Sequence, residues 1–287
     1  MTMEKKRKLS GRKRWVGLFF VSPWLLGFIV FTVYPFFSTI RYSFSRVRFK
    51  LAGMETTFVN IRNFTDVLFK DPDFKLALPQ YLVQLFLFVP MVVVFSILLS
   101  LLLNGKRKGQ GFFRAVFFLP VIVISGPVVK NLQTMGAATL RGMGDFPVYR
   151  FISGSLPDFL SAPVLYIFDN AILILWYTGV QTLIFLSAMQ KTDRSIYEAS
   201  MVDGASGWQQ FWKIPIPTIK PFIFLNAIYT IVDVSMSAMN PIIMEIKQAM
   251  FDIKKGFGFA SAASWIYFFI LLLAVLISYL LLGRERR

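Results

Sequence analysis

Polar and aromatic side chains inside strongly apolar stretches are the residues of this chain best suited to bind a ligand or take part in chemistry. Asp233 lies in such a stretch, and an ionisable group in apolar surroundings is by default a candidate functional residue. Nearby hydroxyl, amide and aromatic groups supply hydrogen-bond donors and acceptors together with flat apolar faces, a combination that suits a solute rich in hydroxyls. The candidate pathway residues are Asp169, Trp176, Tyr177, Asn226, Tyr229, Asp233 and Ser237.

The same residues have simpler interpretations, and the sequence leaves these open. Asp233 can serve only to bond a neighbouring helix within an apolar bundle. Trp and Tyr are common anchors at membrane interfaces and common packing residues.

The chain contains no Cys and no His. Their absence removes disulfides, thiolate and imidazole metal ligands, and catalysis by Cys or His. A phosphate-binding loop is also missing, because Gly105 and Lys106 are followed by Arg107 and lack the required upstream Gly. We therefore expect no metal and no cofactor bound by this chain, and no ATP hydrolysis by this route.

A second group of residues lies in the polar, amphipathic stretch 190–220, hereafter the 190–220 loop. Ser195 is predicted to cap a short helix, with Glu198 completing a capping box. Small residues follow, and then two glycines that permit a sharp turn. The prolines 215 and 217 are predicted to end a second short helix. The candidate residues of this helix–turn–helix are Ser195, Tyr197, Glu198, Ala199, Ser200, Asp203, Gly204, Gly207, Ile214 and Pro217. The plainer alternative is a solvated amphipathic connector.

Long apolar runs set the fold class. Of the 287 residues, 56% are hydrophobic, and the runs reach the twenty or so residues that cross a hydrocarbon layer about 30 Å thick. The sequence predicts an all-α polytopic membrane protein with six transmembrane helices. Their predicted ranges are 15–40, 81–103, 112–132, 164–189, 221–244 and 259–282.

The formal net charge is +16, and the basic residues lie mainly between the apolar runs. They are densest in the N-terminal segment 1–14, the turn 104–114, the 190–220 loop and the C-terminus. Because Lys and Arg favour the cytoplasmic side, both termini and the 190–220 loop are predicted to be cytoplasmic. Contacts with anionic lipid headgroups explain this charge, and no nucleic-acid partner is expected.

The 190–220 loop resembles the Glu-Ala-Ala loop of binding-protein-dependent permeases of ABC importers. The matching residues are Glu198, Ala199, Ser200, Gly204, Ile214 and Pro217, with Ser200 in place of the second Ala. Other stretches, including 22–24, 58–64, 111–120 and 185–190, resemble the carbohydrate-uptake branch of maltose and glycerol-phosphate type. A Thr-x-Gly-Gly-Pro segment usual in that branch is absent, and Met239, Asn240 and Pro241 stand near its place.

The resemblance implies a type I ABC importer permease in a bacterial plasma membrane, a transport subunit and not an enzyme. The permease domain is expected over 15–287, after the cytoplasmic segment 1–14. The 190–220 loop is expected to couple the permease to separate nucleotide-binding ATPase subunits, which carry ATP and Mg²⁺. The resemblance also implies a second homologous permease subunit, an extracytoplasmic solute-binding protein and a carbohydrate as cargo.

Three other functions are weaker interpretations. An ion-coupled secondary transporter explains the spans and Asp233, but it predicts inverted repeats, and no clear repeat is seen. A membrane-embedded enzyme needs a catalytic constellation, and no close pair of carboxylates occurs in the predicted spans. A structural scaffold has no need of the Glu198–Pro217 pattern.

Overall fold

The computed structural model describes residues 11–50, 53–104, 111, 146–237 and 239–283. The third predicted span, 112–132, lies outside these residues, as does most of the basic turn before it. Residues 1–10 and 284–287 also lie outside them. The described chain divides into two units, Met1–Asp71 with Ile246–Ile266, and Pro72–Glu245 with Tyr267–Arg287.

The first unit begins with a long helical stretch. Helix α1 (Gly11–Phe28) passes through a π-helical turn (Ile29–Val33) into α2 (Tyr34–Ser43). In the π turn the Tyr34 N–H bonds the Ile29 carbonyl, and Pro35, which has no N–H to donate, follows at the start of α2. The prediction of a helix over 15–40 is confirmed. None of the most apolar part of Phe19–Ser43 is buried, so this helix presents its apolar surface outward.

A β-hairpin follows in the stretch that the sequence marked only as polar. Strand β1 (Ser45–Lys50) pairs antiparallel with β2 (Gly53–Phe58), and Ser45 lies opposite Phe58. The side chain of Asn63 donates to the Ser43 and Ser45 carbonyls at 2.9 and 3.0 Å. This fixes the start of the hairpin to helix α3 (Arg62–Thr65). The hairpin is the only β-sheet among the described residues.

The first unit also contains the start of α12 (Gly256–Ser278). A β-carbon added at Gly258 lies 2.0 Å from the Ser45 carbonyl oxygen, so only glycine permits this close packing on β1. Beside it, Lys255 forms a 2.7 Å ion pair with the largely buried Asp71. The Lys255 ammonium also lies 5.4 Å from the centroid of the Phe259 ring.

The second unit is built around three long helices: α4 (Pro72–Asn104), α7 (Ala171–Met189) and α10 (Pro215–Met236). Phe88 and Val92 of α4 pack with Leu173 and Ile174 of α7 and with Val234 of α10. A second cluster joins the same helices, and its buried members are Val93, Phe185, Ala188, Met189 and Ile219. Thirty-three residues of α4 extend about 50 Å, and the helix begins nine residues before the predicted start at 81.

Shorter helices complete the described chain. They are α5 (Pro147–Ser155), α6 (Asp158–Asp169), α8 (Arg194–Val202), α9 (Gly207–Lys213) and α11 (Pro241–Phe251). Two further π-helical turns, Asp66–Lys70 and Tyr279–Gly283, precede α4 and follow α12.

Two predicted spans are interrupted, and their predicted bounds are wrong. The fourth, 164–189, breaks at Asn170 between α6 and α7, where the Asn170 side chain donates to the Tyr166 carbonyl at 2.8 Å. The fifth, 221–244, begins earlier at Pro215 and ends at Met236. Pro241 then begins α11. Proline has no backbone N–H, and it is tolerated in the first turn of a helix because an N–H there has no partner within the helix. The sixth span is confirmed as α12.

Five stretches of the described chain are long and apolar enough to cross a membrane. They correspond to the first, second, fourth, fifth and sixth predicted spans. The total of six stays a prediction, because the third lies outside the described residues.

Candidate functional site

The 190–220 loop folds into two short helices, α8 and α9, with a turn between them. The cap of α8 is Asp193, whose Oδ1 accepts the Ser195 N–H at 3.1 Å. The prediction that Ser195 is the cap and that Glu198 completes a capping box is therefore wrong. Ser195 already has a helical position, since the extended backbone needed at a cap occurs at Asp193.

A capping box does occur in the loop, at the start of α9. The Gln209 N–H donates to Ser206 Oγ at 3.3 Å, and the Ser206 N–H donates to Gln209 Oε1 at 2.9 Å. The starts of both short helices are thus fixed by side chains, and the loop has a defined two-helix shape.

Of the two glycines, only one is required by the backbone. Gly204 has a φ of +76°, a left-handed conformation that side chains with a β-carbon resist. Gly207 opens α9 without a positive φ, so its predicted role in the turn is wrong. Helix α9 ends at Lys213, and only Ile214 separates it from Pro215, the first residue of α10. Pro217 lies in the first turn of α10, as expected for a residue that follows the end of α9.

The surface of the loop is apolar for an exposed segment. Val202 is 89% and Trp208 71% exposed, and Ile196, Met201 and Trp212 are also exposed. An apolar patch with a polar surround marks an interaction surface. The loop therefore has the character of a docking surface.

The residues of the Glu-Ala-Ala pattern lie on or beside this surface. Glu198, Ala199 and Gly204 are exposed, whereas Tyr197, Ser200 and Ile214 are half-buried. The Ser200 hydroxyl donates to the Tyr197 carbonyl at 2.7 Å, so Ser200 adds little more to the surface than an alanine does. Burial raises the pKa of the Tyr197 hydroxyl. The remaining predicted members, Asp203 and Pro217, are exposed.

A second candidate site is a polar seam between α7 and α10. The seam consists of Tyr177, Gln181, Asn226, Thr230, Asp233 and Ser237. Gln181 Nε2 donates to Thr230 Oγ1 at 3.2 Å, and Thr230 Oγ1 donates to the Asn226 carbonyl at 2.8 Å. Gln181 also interacts with the Asp233 carboxylate, and Tyr177 with Ser237.

Sequence reasoning found four members of the seam and missed Gln181 and Thr230. The spacing of Asn226, Thr230 and Asp233 is four and three residues, which places them along one face of α10, and Ser237 follows directly after its last residue. This spacing was a usable signal for Thr230. Gln181 lies four residues after Tyr177, on the same face of α7, and the same argument could have found it.

Some seam groups keep unused hydrogen-bonding capacity. Within the described residues, neither side-chain amide atom of the buried Asn226 has a hydrogen-bond partner, and Gln181 Oε1 has none. The hydroxyl of the adjacent Thr182 is also buried without a partner. A buried polar group without a partner costs about 1–3 kcal/mol, so the seam gains from any further donor or acceptor that reaches it.

Three predicted pathway residues lie outside the seam. Tyr229 is partly exposed, one turn before Asp233 and electrostatically coupled to it. Trp176 packs against the first core cluster. Asp169 ends α6 before the break, and no hydrogen bond among the described residues joins it to the seam. Asp233 itself lies three residues from the end of α10.

The apolar helices, the exposed loop and the polar seam define a multi-pass membrane protein. No protein-family model matches the chain. The chain is 30% identical to the lactose transport system permease protein LacF of Rhizobium radiobacter over 74% of its own length and 70% of that protein. It is 28% identical to the trehalose/maltose transport system permease protein MalF of Thermococcus litoralis, over 98% and 97% of the two chains.

The fold is also similar to a solved structure. A chain of a bacterial alginate ABC transporter, solved in complex with an alginate pentasaccharide-bound periplasmic protein, aligns over 93% of both chains with a TM-score of 0.63 and 17% identity. This likeness supports the fold alone. The sequence relatives establish the family: the chain belongs to the sugar-type permeases of ABC transporters, which are transport components and not enzymes. Membership in this family also argues against an ion-coupled secondary transporter.

The corrected cap assignment gives a direct test of the loop. We expect Asp193→Ala to destabilise α8 by about 1 kcal/mol, because one first-turn N–H loses its acceptor. Ser195→Ala, two residues away, is the matched control and should leave α8 unchanged. Amide hydrogen exchange over 194–202 measures both, with roughly fivefold faster exchange expected for Asp193→Ala. Faster exchange in Ser195→Ala than in Asp193→Ala would show that Ser195 is the cap.

Proposed function

We propose that this chain is the transmembrane permease subunit of an ATP-driven importer that moves a carbohydrate into the cytoplasm by alternating access. The observation that carries the proposal is the 190–220 loop. It combines the Glu198–Pro217 pattern with a fixed two-helix shape and an exposed apolar surface. A segment of this kind suits transient docking in a groove of another protein.

The proposed partner at the loop is a nucleotide-binding ATPase subunit. ATP and Mg²⁺ then bind to that subunit, and this chain holds no cofactor. The small side chains of Ala199 and Ser200 allow a close approach to α8, while Val202 and Trp208 supply apolar contact area. A second permease subunit and an extracytoplasmic solute-binding protein complete the proposed assembly. The periplasmic protein in the related alginate transporter supports the last of these.

The proposed location is a bacterial plasma membrane, with both termini and the 190–220 loop in the cytoplasm. The concentration of Lys and Arg in these segments supports this orientation. Membrane lipid is then the neighbour of the exposed apolar helices, including α1 and α2.

The proposed cargo is a sugar or oligosaccharide. The names of the two relatives, permeases for lactose and for trehalose or maltose, support a sugar as the cargo. In the polar seam, Asp233, Asn226 and Ser237 supply groups that bond hydroxyls. Tyr177 in the seam and Tyr229 outside it supply aromatic faces. Trp176 is proposed to support the polar seam by packing against the core beside it. Asp169, beyond the break at Asn170, stays a more distant candidate.

The proposed mechanism transmits movement from α9 to α10 across the one residue that separates them. Helix α9 is followed by α10 after a single residue, and Pro215 at this junction is buried. When ATP binding closes the ATPase subunits, displacement of α9 moves the start of α10. Because an α-helix is stiff along its axis, the movement reaches Asp233 near the other end of α10 and changes the side from which cargo enters.

Two glycine substitutions test the coupling role. Gly204→Val forces a β-branched residue into a left-handed backbone, at a cost of about 1–3 kcal/mol, and should redirect α9. We expect sugar uptake to fall at least tenfold in proteoliposomes while ATP hydrolysis continues. Gly207→Ala is the control, because a β-carbon at either glycine has open space around it. Normal uptake per ATP by Gly204→Val, at equal membrane content, would contradict the coupling role.

A charge-neutralising substitution tests the cargo pathway. Asp233→Asn keeps the size of the side chain but weakens hydrogen bonds to cargo hydroxyls, so the KM for uptake should rise about tenfold. Asp158→Asn, at the exposed start of α6, is the control and should leave KM unchanged. Uptake kinetics with radiolabelled maltose, trehalose and lactose measure the effect. An unchanged KM for Asp233→Asn removes this carboxylate from the pathway.

A further inference from the structure

The break between α10 and α11 is held by four buried side chains from different parts of the second unit. They are Tyr81 of α4, Ser235 of α10, Asn240 in the break itself and Tyr267 of α12. We call these four residues the Asn240 clamp. None of them is among the residues that the proposed function uses.

Asn240 uses both ends of its side-chain amide. Its Oδ1 accepts the N–H groups of Ile242 and Ile243 at 2.9 and 3.4 Å, which caps the start of α11. Its Nδ2 donates to the Ser235 carbonyl at 2.9 Å and to the Tyr267 hydroxyl at 2.7 Å. One side chain thereby bonds both helices that meet at the break.

The Ser235 carbonyl is the centre of the clamp. Within an unbroken helix it would accept the Met239 N–H, but that group instead donates to Ser237 Oγ at 3.3 Å. The Tyr267 hydroxyl donates to the same carbonyl at 2.8 Å, so the carbonyl freed by the break accepts two hydrogen bonds. In apolar surroundings a freed carbonyl needs such partners.

Tyr81 of α4 adds a fourth helix to this arrangement, after α10, α11 and α12. Its hydroxyl hydrogen-bonds Ser235 Oγ at 2.6 Å, and Ser235 Oγ also bonds the Ile231 carbonyl. The rings of Tyr81 and Tyr267 pack edge to face, with centroids 5.2 Å apart. Position 235 is therefore fixed through its main chain and its side chain, from α4 and α12 at once.

The clamped residue lies between two members of the polar seam. Asp233 precedes Ser235 by two residues and Ser237 follows it by two. We propose that Tyr81, Asn240 and Tyr267 are positioning residues for cargo: they fix the last turn of α10 and so hold the Asp233 carboxylate and the Ser237 hydroxyl towards the pathway. The inference rests on the proposed function of the seam, although none of the three residues needs to touch cargo.

Two conservative substitutions separate positioning from folding. Tyr267→Phe removes the hydroxyl and keeps the ring against Tyr81. Asn240→Asp keeps the acceptor that caps α11 and removes the Nδ2 donor. Tyr279→Phe is the matched control, since Tyr279 follows α12 and is half exposed, and no hydrogen bond of its hydroxyl occurs among the described contacts.

The first readout is transport by the assembled importer in proteoliposomes, with radiolabelled maltose, trehalose and lactose as probes. For Tyr267→Phe and Asn240→Asp we expect KM to rise about fivefold, with the maximal rate within twofold of the unmodified protein and equal membrane content. Tyr279→Phe should change neither value. Lower membrane content or thermal stability with an unchanged KM would show that the clamp only supports folding, and would overturn the inference.

The second readout does not depend on transport. Because the chain has no Cys, spin labels at Val232→Cys and Met244→Cys report only on the two helices beside the break. Both positions are exposed. The distance distribution should broaden or shift in the Tyr267→Phe and Asn240→Asp backgrounds and stay narrow with Tyr279→Phe. An unchanged distribution overturns the positioning role. If the unmodified importer carries none of the three sugars but the distribution responds, the proposed cargo fails and the clamp stands.

Discussion

The structure depends on satisfying main-chain hydrogen bonds wherever a helix stops. In apolar surroundings an unpaired N–H or carbonyl is costly, and at four helix boundaries near the candidate sites a polar side chain meets this need. Asp193 and Ser206 cap the two helices of the 190–220 loop. Asn170 and Asn240 serve the breaks that begin α7 and α11. These polar side chains fix where α8, α9 and α11 begin and where α6 ends.

The two candidate sites meet this constraint in opposite environments. The polar seam is largely enclosed, and several of its groups bond across two helices or keep unused bonding capacity. The 190–220 loop is instead solvent-exposed and presents Val202 and Trp208 outward. Helix α10 joins them, since it begins within the loop at Pro215 and Asp233 lies three residues from its end. In the proposed mechanism, an exposed contact at one end of α10 thus governs an enclosed polar surface at the other.

The apolar runs predicted most of the helices, but not where they are interrupted. Hydropathy averages over a window, so single residues such as Asn170 and Asn240 do not register as breaks. The hairpin 45–58 was missed because its short strands are mostly polar. Val47 and Phe49 do alternate with basic residues in β1, but β2 has no such alternation. In the loop, Asp193 and Ser195 are both good caps two residues apart, and only the backbone conformation selects Asp193. Gln181 and Thr230 were not predicted as site residues. Their hydrogen bond joins positions 49 residues apart in the sequence, and such a contact is not visible from the sequence alone.

The central claim is that the 190–220 loop contacts an ATPase subunit, and site-specific photo-cross-linking in the assembled transporter tests it most directly. A photoreactive residue at Val202 should form an adduct with the ATPase subunit. The same residue at Phe151, which is also exposed but lies on α5, should not. No ATPase adduct at Val202, or equal adducts at both positions, would contradict the account.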